Sequence, residues 1–347
     1  MQFIEYNPNL LYKSGDNLTR DVWFLDYDGT IIKQKNGKCP NIRKANDWTF
    51  LYPEVKEKLE QFNGNIIVIT NQKRLTEKTA KMQGFIEQIS TVFGELKLKK
   101  SPWIFVAVGY DFIYRKPSIG AINVFAEKTG FNRLDGDYFY IGDACGRESD
   151  HSACDYRLSE NLGWRFMTPE MFFLNQQNNI PLQINLVGLP CQPMIIPEIP
   201  ENIKILFLQA PPASGKTTIC QKFPQFFRIN QDELKTLNKC VKVAKEKLQQ
   251  GHKIIIDRTN PNPESMQPFM DLHQQCGILQ IKIDNWLNKH LNYFRSFTNN
   301  TKPIPDIAYH IFHKKYKKPT VQDGFKWIGE VEWSLEGDME GFRRWYY

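Results

Sequence analysis

The chain is 347 residues long, more than one ordinary core needs, which sets about two domains as the expectation. Its composition is ordinary globular, and a formal charge of +7, from 45 basic and 38 acidic residues, suits a phosphate-rich partner. Seven scattered cysteines (Cys39, Cys145, Cys154, Cys191, Cys220, Cys240, Cys276), odd in number and without a CxxC, exclude a disulfide frame or zinc site and read as reduced thiols. The N-terminus has no basic-then-apolar leader and no apolar run reaches membrane-spanning length, so a soluble, intracellular chain without a membrane partner is expected.

Residues 1–20 are polar and read as irregular. Val22 to Leu25 is a hydrophobic strand that runs into Asp26-Tyr27-Asp28-Gly29-Thr30. With a period of two, Asp26 and Asp28 can point to one side at the carboxyl end of that strand, where open α/β sheets bind ligands. Two close carboxylates repel unless a cation neutralises them, and Mg²⁺ is the natural third party. Three more apolar strands follow: Asn65 to Thr70, Trp103 to Val108 and Tyr138 to Ile141. The first ends in Thr70-Asn71-Gln72, the second is followed by Arg115-Lys116-Pro117 at the mouth of a helix, and the third ends in Gly142-Asp143-Ala144-Cys145-Gly146-Arg147. Helical patterns lie between them at Pro53 to Phe62, around Thr76 to Ile89 and from Ser118 to Lys128. This alternation predicts a parallel, doubly wound sheet.

Asp26 and Asp28, Thr70, Lys116 and Asp143 occur in the order of the four motifs of the haloacid dehalogenase superfamily of phosphatases, which this region resembles. The resemblance implies Asp26 as nucleophile and Asp28 as general acid, then base. It implies Thr70 and Lys116 as ligands of the phosphoryl oxygens, and Asp143 with Asp26 and Asp28 around Mg²⁺. Asp150 and Asp155, in SDHSACDYR, either brace the metal site or stand as acids of a surface loop.

From Asn175 to Asn202 the chain carries Pro181, Pro190, Pro193, Pro197 and Pro200, which argues an extended connector, placed at residues 181–200. It separates a first domain, 1–180, from a second, 201–347. The second opens on Ile203 to Cys220, IKILFLQAPPASGKTTIC: a buried strand, a short turn and the start of a helix. There the backbone around Ala210, Ala213, Ser214, Gly215, Lys216, Thr217 and Thr218 would wrap the phosphates of ATP. Lys216 would reach the β- and γ-phosphates and the Thr217 hydroxyl would sit on Mg²⁺. Ala210 stands where the usual pattern has its first glycine, a position that a small unbranched residue can fill.

Phe227 to Asp232 reads as a strand running into a helix, Glu233 to Gln250. Asp232 either caps that helix or takes the proton of an attacking hydroxyl. Lys253 to Asp257 and Leu279 to Ile283 add strands; Asn288 to Phe297 reads as a helix carrying Lys289 and Arg295, either a phosphate clamp or a solvated basic face. A helix from Pro305 to Tyr316 runs into Lys314-Lys315-Tyr316-Lys317-Lys318, a solvated face or a contact for a nucleic-acid backbone. His310 and His313 lack a third ligand for a metal. The tail, with Trp327, Trp333, Trp345, Tyr346 and Tyr347, reads as packing, with base stacking as the alternative.

Taken together, DYDGT, TNQ, RKP, GDACGR, TPEMFF, the phosphate loop, NQD, IDRTNP and KKPTVQDGF resemble the polynucleotide kinase 3′-phosphatase family of DNA end-repair enzymes, over residues from about 20 to 330. The resemblance implies two doubly wound parallel-sheet α/β domains: a haloacid dehalogenase-like 3′-phosphatase followed by a P-loop 5′-hydroxyl kinase. It implies Mg²⁺ and ATP, DNA ends (or RNA ends) as partners, a monomer, and a nuclear location. It also implies Asp232 as general base and Arg295 as clamp on the transferring phosphoryl. The forkhead-associated domain of vertebrate members is not found, which puts recruitment through phosphorylated partners in doubt. Arg258 stands where the family has Asn. Three rival functions remain: an RNA end-healing enzyme, a sugar or nucleoside kinase/phosphatase, and a silent nucleic-acid-binding scaffold.

Overall fold

The computed structural model describes residues 1–37, 42–75, 80–109, 112–177, 180–181, 186, 188–189, 191–299, 301–336 and 340–347. The chain forms two compact units, Met1–Ile184 together with Arg344–Tyr347, and Asn185–Arg343. Compared with the expected 1–180 and 201–347, most of the proline-rich stretch joins the second unit and the last four residues join the first. The physical reason for the former is apolar: Met194, Ile196 and Ile199 pack on the second unit's core.

The first unit holds a seven-stranded sheet in the order Ile4–Asn7, Leu10–Lys13, Trp103–Val108, Asn65–Gln72, Val22–Leu25, Phe139–Ile141, Arg165–Met167. The last five are mutually parallel, and the first two add as an antiparallel hairpin on the Trp103–Val108 edge. Because successive strand side chains point to opposite faces, the central strands feed two cores. Ile66 and Val68 pack with Val55, Leu59, Phe85 and Ile89, which recur at helical spacing in Pro53–Gln61 and Ala80–Glu95. Ile67 and Ile69 pack on the other face with Ile122, Phe125, Leu158 and Leu162 of helices Gly120–Thr129 and Cys154–Leu162. The doubly wound expectation holds. The helix expected around 76–89 is described from Ala80; residues 76–79 lie outside the described residues. The N-terminal hairpin departs from the irregular reading of residues 1–20. Its outer strand is largely exposed, so it carries little apolar signal, and its pairing is set by Trp103–Val108, ninety residues away in the chain.

The second unit holds five parallel strands in the order Phe226–Asn230, Lys253–Asp257, Ile205–Gln209, Cys276–Lys282, Trp327–Glu332. Ile205 to Leu208 and Ile254 to Ile256 are fully buried, as continuous apolar runs in a two-sided parallel sheet should be. Two elements differ from expectation. The helix read from Glu233 to Gln250 is broken into Gln231–Leu234 and Leu237–Gln249 by Lys235 at φ 71°, after which the Thr236 hydroxyl caps the second helix at Lys239 N. Trp327–Glu332, read only as part of an aromatic tail, is a half-exposed edge strand, whose alternation of apolar and polar residues is a weak signal. No described helix is long and apolar enough to cross a membrane.

Candidate active sites

In the first unit the site residues come from strand ends. Leu25 pairs with Ile141, and the Asp26 N–H donates to Ile141 O at 2.8 Å, which carries the ladder one residue further and brings Asp26 level with the Gly142-Asp143 turn. Carboxylate oxygens of Asp26, Asp143 and Asp155 all lie within 4.8 Å of one another. Lys116 Nζ reaches Asp26 Oδ1 at 2.5 Å, Asp155 Oδ1 at 2.7 Å and the Tyr140 hydroxyl at 3.0 Å, and that hydroxyl donates to Ile69 O. Two glycines admit this crowding. A Cβ on Gly29, at φ 75°, would fall 2.4 Å from Asp143 Oδ2, and one on Gly142 would fall 2.4 Å from Asp155 Oδ2.

The charges do not balance. Burial pushes the Asp26 carboxyl up to about 7, Lys116 opposing this and Asp155 adding to it. Burial and then repulsion from Asp26 and Asp155 push Asp143 up to about 8. For Lys116, burial works against the charge, but Asp155 and Asp26 outweigh it and hold the ammonium well above its ordinary value. One ammonium among three carboxylates leaves a deficit of positive charge that a small, oxygen-seeking dication would fill. The trio, all oxygen donors, fits Mg²⁺.

Asp28, expected in that metal set, has its carboxylate elsewhere. Arg43 donates to it twice, at 2.7 and 2.6 Å, and Gln72 Nε2 donates at 2.7 Å. The reason is local: the strand ends at Leu25 and the chain turns at Gly29, so the period of two no longer governs where residue 28 points. Asp155 completes the acidic trio instead. Asp150 is bound to the loop it closes, accepting from the N–H groups of Cys145 and Arg147 and from the Arg147 side chain.

Each residue of Thr70-Asn71-Gln72 positions one of these groups. Thr70 is buried, and its Oγ1 accepts from Gln72 Nε2 at 2.9 Å, the same amide that donates to Asp28. Asn71 makes a two-way bridge to the backbone of Lys116, at 3.0 and 2.9 Å. Of the residues singled out from sequence, Asp26, Asp143 and Lys116 meet directly, and Thr70 and Asp28 are tied by Gln72. Arg43 and Tyr140 carried no motif signal, and Gln72 was read only as the end of TNQ; Arg43 and Tyr140 act through partners distant in sequence.

In the second unit, the strand Ile205–Gln209 leads into a loop that closes on helix Lys216–Gln221, with Ala213 at φ 54° and Gly215 at φ 78°. Lys216 folds back over its own loop: Nζ donates to Ala210 O at 3.2 Å, Pro211 O at 2.5 Å and Ser214 Oγ at 3.2 Å. Burial lowers its ammonium to about 8, Asp257 resisting and Arg295 assisting. The Thr217 hydroxyl donates to Asp257 Oδ2 at 2.9 Å, and Asp257 also accepts from Arg228 and Asn230. Thr217 and Asp257 present two oxygens that could hold a Mg²⁺ beside a bound triphosphate. Sequence reading passed over Asp257, although an acid closing an apolar strand beside the phosphate-loop strand is the same signal that marked Asp26.

A cavity of about 860 Å³ joins these groups, lined among others by Ser214, Lys216, Thr217 and Thr218, and also by Asp232 and Arg295. Asn230, not Asp232, caps the short helix, its side chain accepting from Glu233 N at 3.1 Å, so Asp232 is left facing the cavity. Ala210 is buried at the loop's start. Arg258 lines the same cavity and leans on Phe269, its guanidinium 5.8 Å from the ring centre.

An acidic, lysine-bridged cluster on one parallel sheet and a lysine-closed phosphate loop on another define a two-domain phosphoryl-handling protein. A family model described as Polynucleotide kinase 3 phosphatase matches residues 21–173. A bifunctional polynucleotide phosphatase/kinase of Schizosaccharomyces pombe is 32% identical over 347 residues, covering 95% of this chain and 84% of that protein. A polynucleotide 3′-phosphatase of Arabidopsis thaliana is 29% identical, covering 46% of this chain and 25% of that one. A polynucleotide 3′-phosphatase of Saccharomyces cerevisiae is 26% identical, covering 44% and 87%. The chain belongs to the bifunctional polynucleotide phosphatase/kinase family.

Proposed function

We propose that the first unit hydrolyses 3′-phosphates and the second transfers the γ-phosphoryl of ATP to 5′-hydroxyls of nucleic-acid ends, DNA before RNA, so that one chain makes a broken strand ligatable. The observation that carries this is the coexistence in one chain of the Lys116-bridged Asp26–Asp143–Asp155 cluster and the Thr217–Asp257 phosphate loop. Mg²⁺ bound at each site would neutralise phosphoryl oxygens.

In the first unit, Asp26 attacks phosphorus as the bond to O3′ breaks, and Asp28 supplies the proton that the leaving oxygen needs. Lys116 and Thr70 hold the transferring oxygens. Water then attacks the aspartyl-phosphate, giving its proton to Asp28, and Asp26 is regenerated. In the second unit, Asp232 accepts the proton of the 5′-hydroxyl as its oxygen attacks the γ-phosphorus and ADP leaves; Lys216 and Arg295 take up the developing charge. The exposed Lys314 and Lys315, at the end of helix Asp306–Lys315, suit a phosphodiester backbone.

A synthetic nick bearing 3′-phosphate and 5′-hydroxyl ends tests both halves. Asp26→Ala should lower phosphate release by roughly 10⁴-fold or more and leave labelling from ATP intact; Lys216→Ala should do the reverse by roughly 10³-fold. Either substitution removing both activities in a folded chain would show that the sites are not independent, and equal rates with free nucleosides would place the substrate among small molecules.

A further inference from the structure

We infer that the part of the proline-rich stretch around Met194 belongs to the catalytic cavity of the second unit, and that Met194 forms one wall of the slot for the nucleobase of the phosphoryl donor. The inference rests on the reading of this cavity as the donor site. Three bonds fasten the stretch to the segment after the last strand. Gln192 N donates to Leu335 O at 3.0 Å, Ser334 Oγ donates to Gln192 O at 3.0 Å, and Met194 N donates to Glu336 Oε1 at 2.6 Å. Lys222, one residue past the phosphate-loop helix, holds the same Glu336 carboxylate. Alternation does the rest: Met194 and Ile196 turn into the unit's core, while Ile195 between them is 88% exposed. Further along, a Cβ on Gly329 would stand 3.1 Å from Pro197 Cγ, so the stretch also lies along strand Trp327–Glu332.

Strand order then assigns the two ends of the cavity. Asp232 and Asp257 follow the two strands on one side of Ile205–Gln209, whereas Trp333 to Glu336 follow the outer strand of the other side. A triphosphate lying in the loop with its γ-phosphorus toward Asp232 must carry its sugar and base toward the opposite side. The lining there is mostly apolar, from Met194, Leu291, Phe294, Trp333 and Leu335, with Ser334 and the Glu336–Lys222 pair beside them, and the Trp333 Nε1 lies only 3.5 Å from where a Cβ on Gly215 would be. A flat aromatic base, with little to offer a solvated loop, suits that lining.

Met194→Ala tests this in the full chain. It should raise the KM for ATP about five- to tenfold, leave the KM for the 5′-hydroxyl strand within twofold, and narrow the preference for purine over pyrimidine triphosphates. Tripolyphosphate, which has no base, should inhibit wild type and variant with equal constants, which also verifies that the phosphate loop has folded. Glu336→Ala should follow Met194→Ala, and Glu336→Gln, which can still accept from Met194 N, should recover most of the loss. An unchanged ATP KM and purine preference in Met194→Ala, with labelling intact, would overturn the assignment alone. Parallel weakening of ATP and tripolyphosphate would overturn it too, as the signature of a general structural effect. A wild-type chain that transfers no phosphoryl group from ATP would end both this assignment and the kinase reading.

Discussion

The cluster of the first unit and the loop of the second handle the same chemical group with opposite electrostatics. In the first, three carboxylates crowd one ammonium, and Asp26 and Asp143 are pushed up to about 7 and about 8. In the second, a buried ammonium faces the carbonyls of its own loop and is lowered to about 8. The first is short of positive charge and the second of negative charge. Each would be eased by a ligand of the opposite sign, a dication in the first and a polyphosphate in the second. The comparison also explains why the supporting residues differ. Side chains must be aimed, Asp28 by Gln72 and Arg43 and Lys116 by Asn71 and Tyr140, whereas main-chain groups in a loop are aimed by backbone torsions at Ala213 and Gly215.

The sharpest way to break the comparison is to remove the one acid of the second site that resembles the first. Asp257→Ala should lower 5′ labelling by roughly 10²- to 10³-fold, with phosphate release unchanged. A loss below tenfold would mean that Asp257 only braces Arg228 and Asn230.

Next comes the aiming of Asp28. Arg43→Ala should slow hydrolysis of 3′-phosphate ends by roughly 10²-fold, because the poor leaving group needs a placed proton donor. The initial burst of p-nitrophenol from p-nitrophenyl phosphate, whose leaving group needs no proton, should fall by less than tenfold. Arg43→Lys should recover part of the difference. Equal falls with both substrates would reduce Arg43 to a fold-holding role.

The charge opposition itself predicts proton movements of opposite sign at pH 8. There Asp143, pushed up to about 8, still holds part of a proton, which Mg²⁺ binding should release. Lys216, lowered to about 8, is partly neutral, so triphosphate binding without Mg²⁺ should take up a fraction of a proton. Calorimetry in two buffers of different ionisation heat reads both. Asp143→Asn should abolish the release and Lys216→Ala the uptake, and protons moving in one direction at both sites would sink the contrast.

The smallest effect on chemistry concerns the tail. Trp345 donates to Glu160 at 2.6 Å and lies 4.1 Å from the Arg157 guanidinium. Trp345→Ala should destabilise the first unit by roughly 2 kcal/mol and lower its thermal midpoint, with labelling by the second unit unchanged. A drop in labelling stability instead would assign the tail to the second unit, as the sequence reading had it.

Much of both sites could be read directly from the chain. Asp26, Thr70, Lys116, Asp143 and the phosphate loop each follow an apolar run that could only be a buried strand, and a parallel sheet gathers strand ends at one edge. What stayed hidden or undecided has a common cause. Asp155, which the sequence left between bracing a metal site and standing on a surface loop, sits on a helix and joins the trio because Gly142 leaves room for it. Arg43 has no pattern around it and matters only because it meets Asp28 fifteen residues earlier. Strand periodicity sets Asp28 beside Asp26, but the turn at Gly29 brings its carboxylate to Arg43 and Gln72. The prolines of 181–200 argue an extended connector, since proline reports backbone stiffness and says nothing of whether Met194 and Ile196 find a surface to cover.

Sequence by itself determined two α/β units, their order, and the residues at the strand ends, because apolar periodicity and a loop's glycine, lysine and hydroxyl are local properties. Tertiary structure decided which acids cluster, which cation holds Asp28, which unit the tail serves and what walls the cavity of the second unit. Those are contacts between residues remote in the chain, settled by strand order and by the few ångströms that a missing Cβ allows.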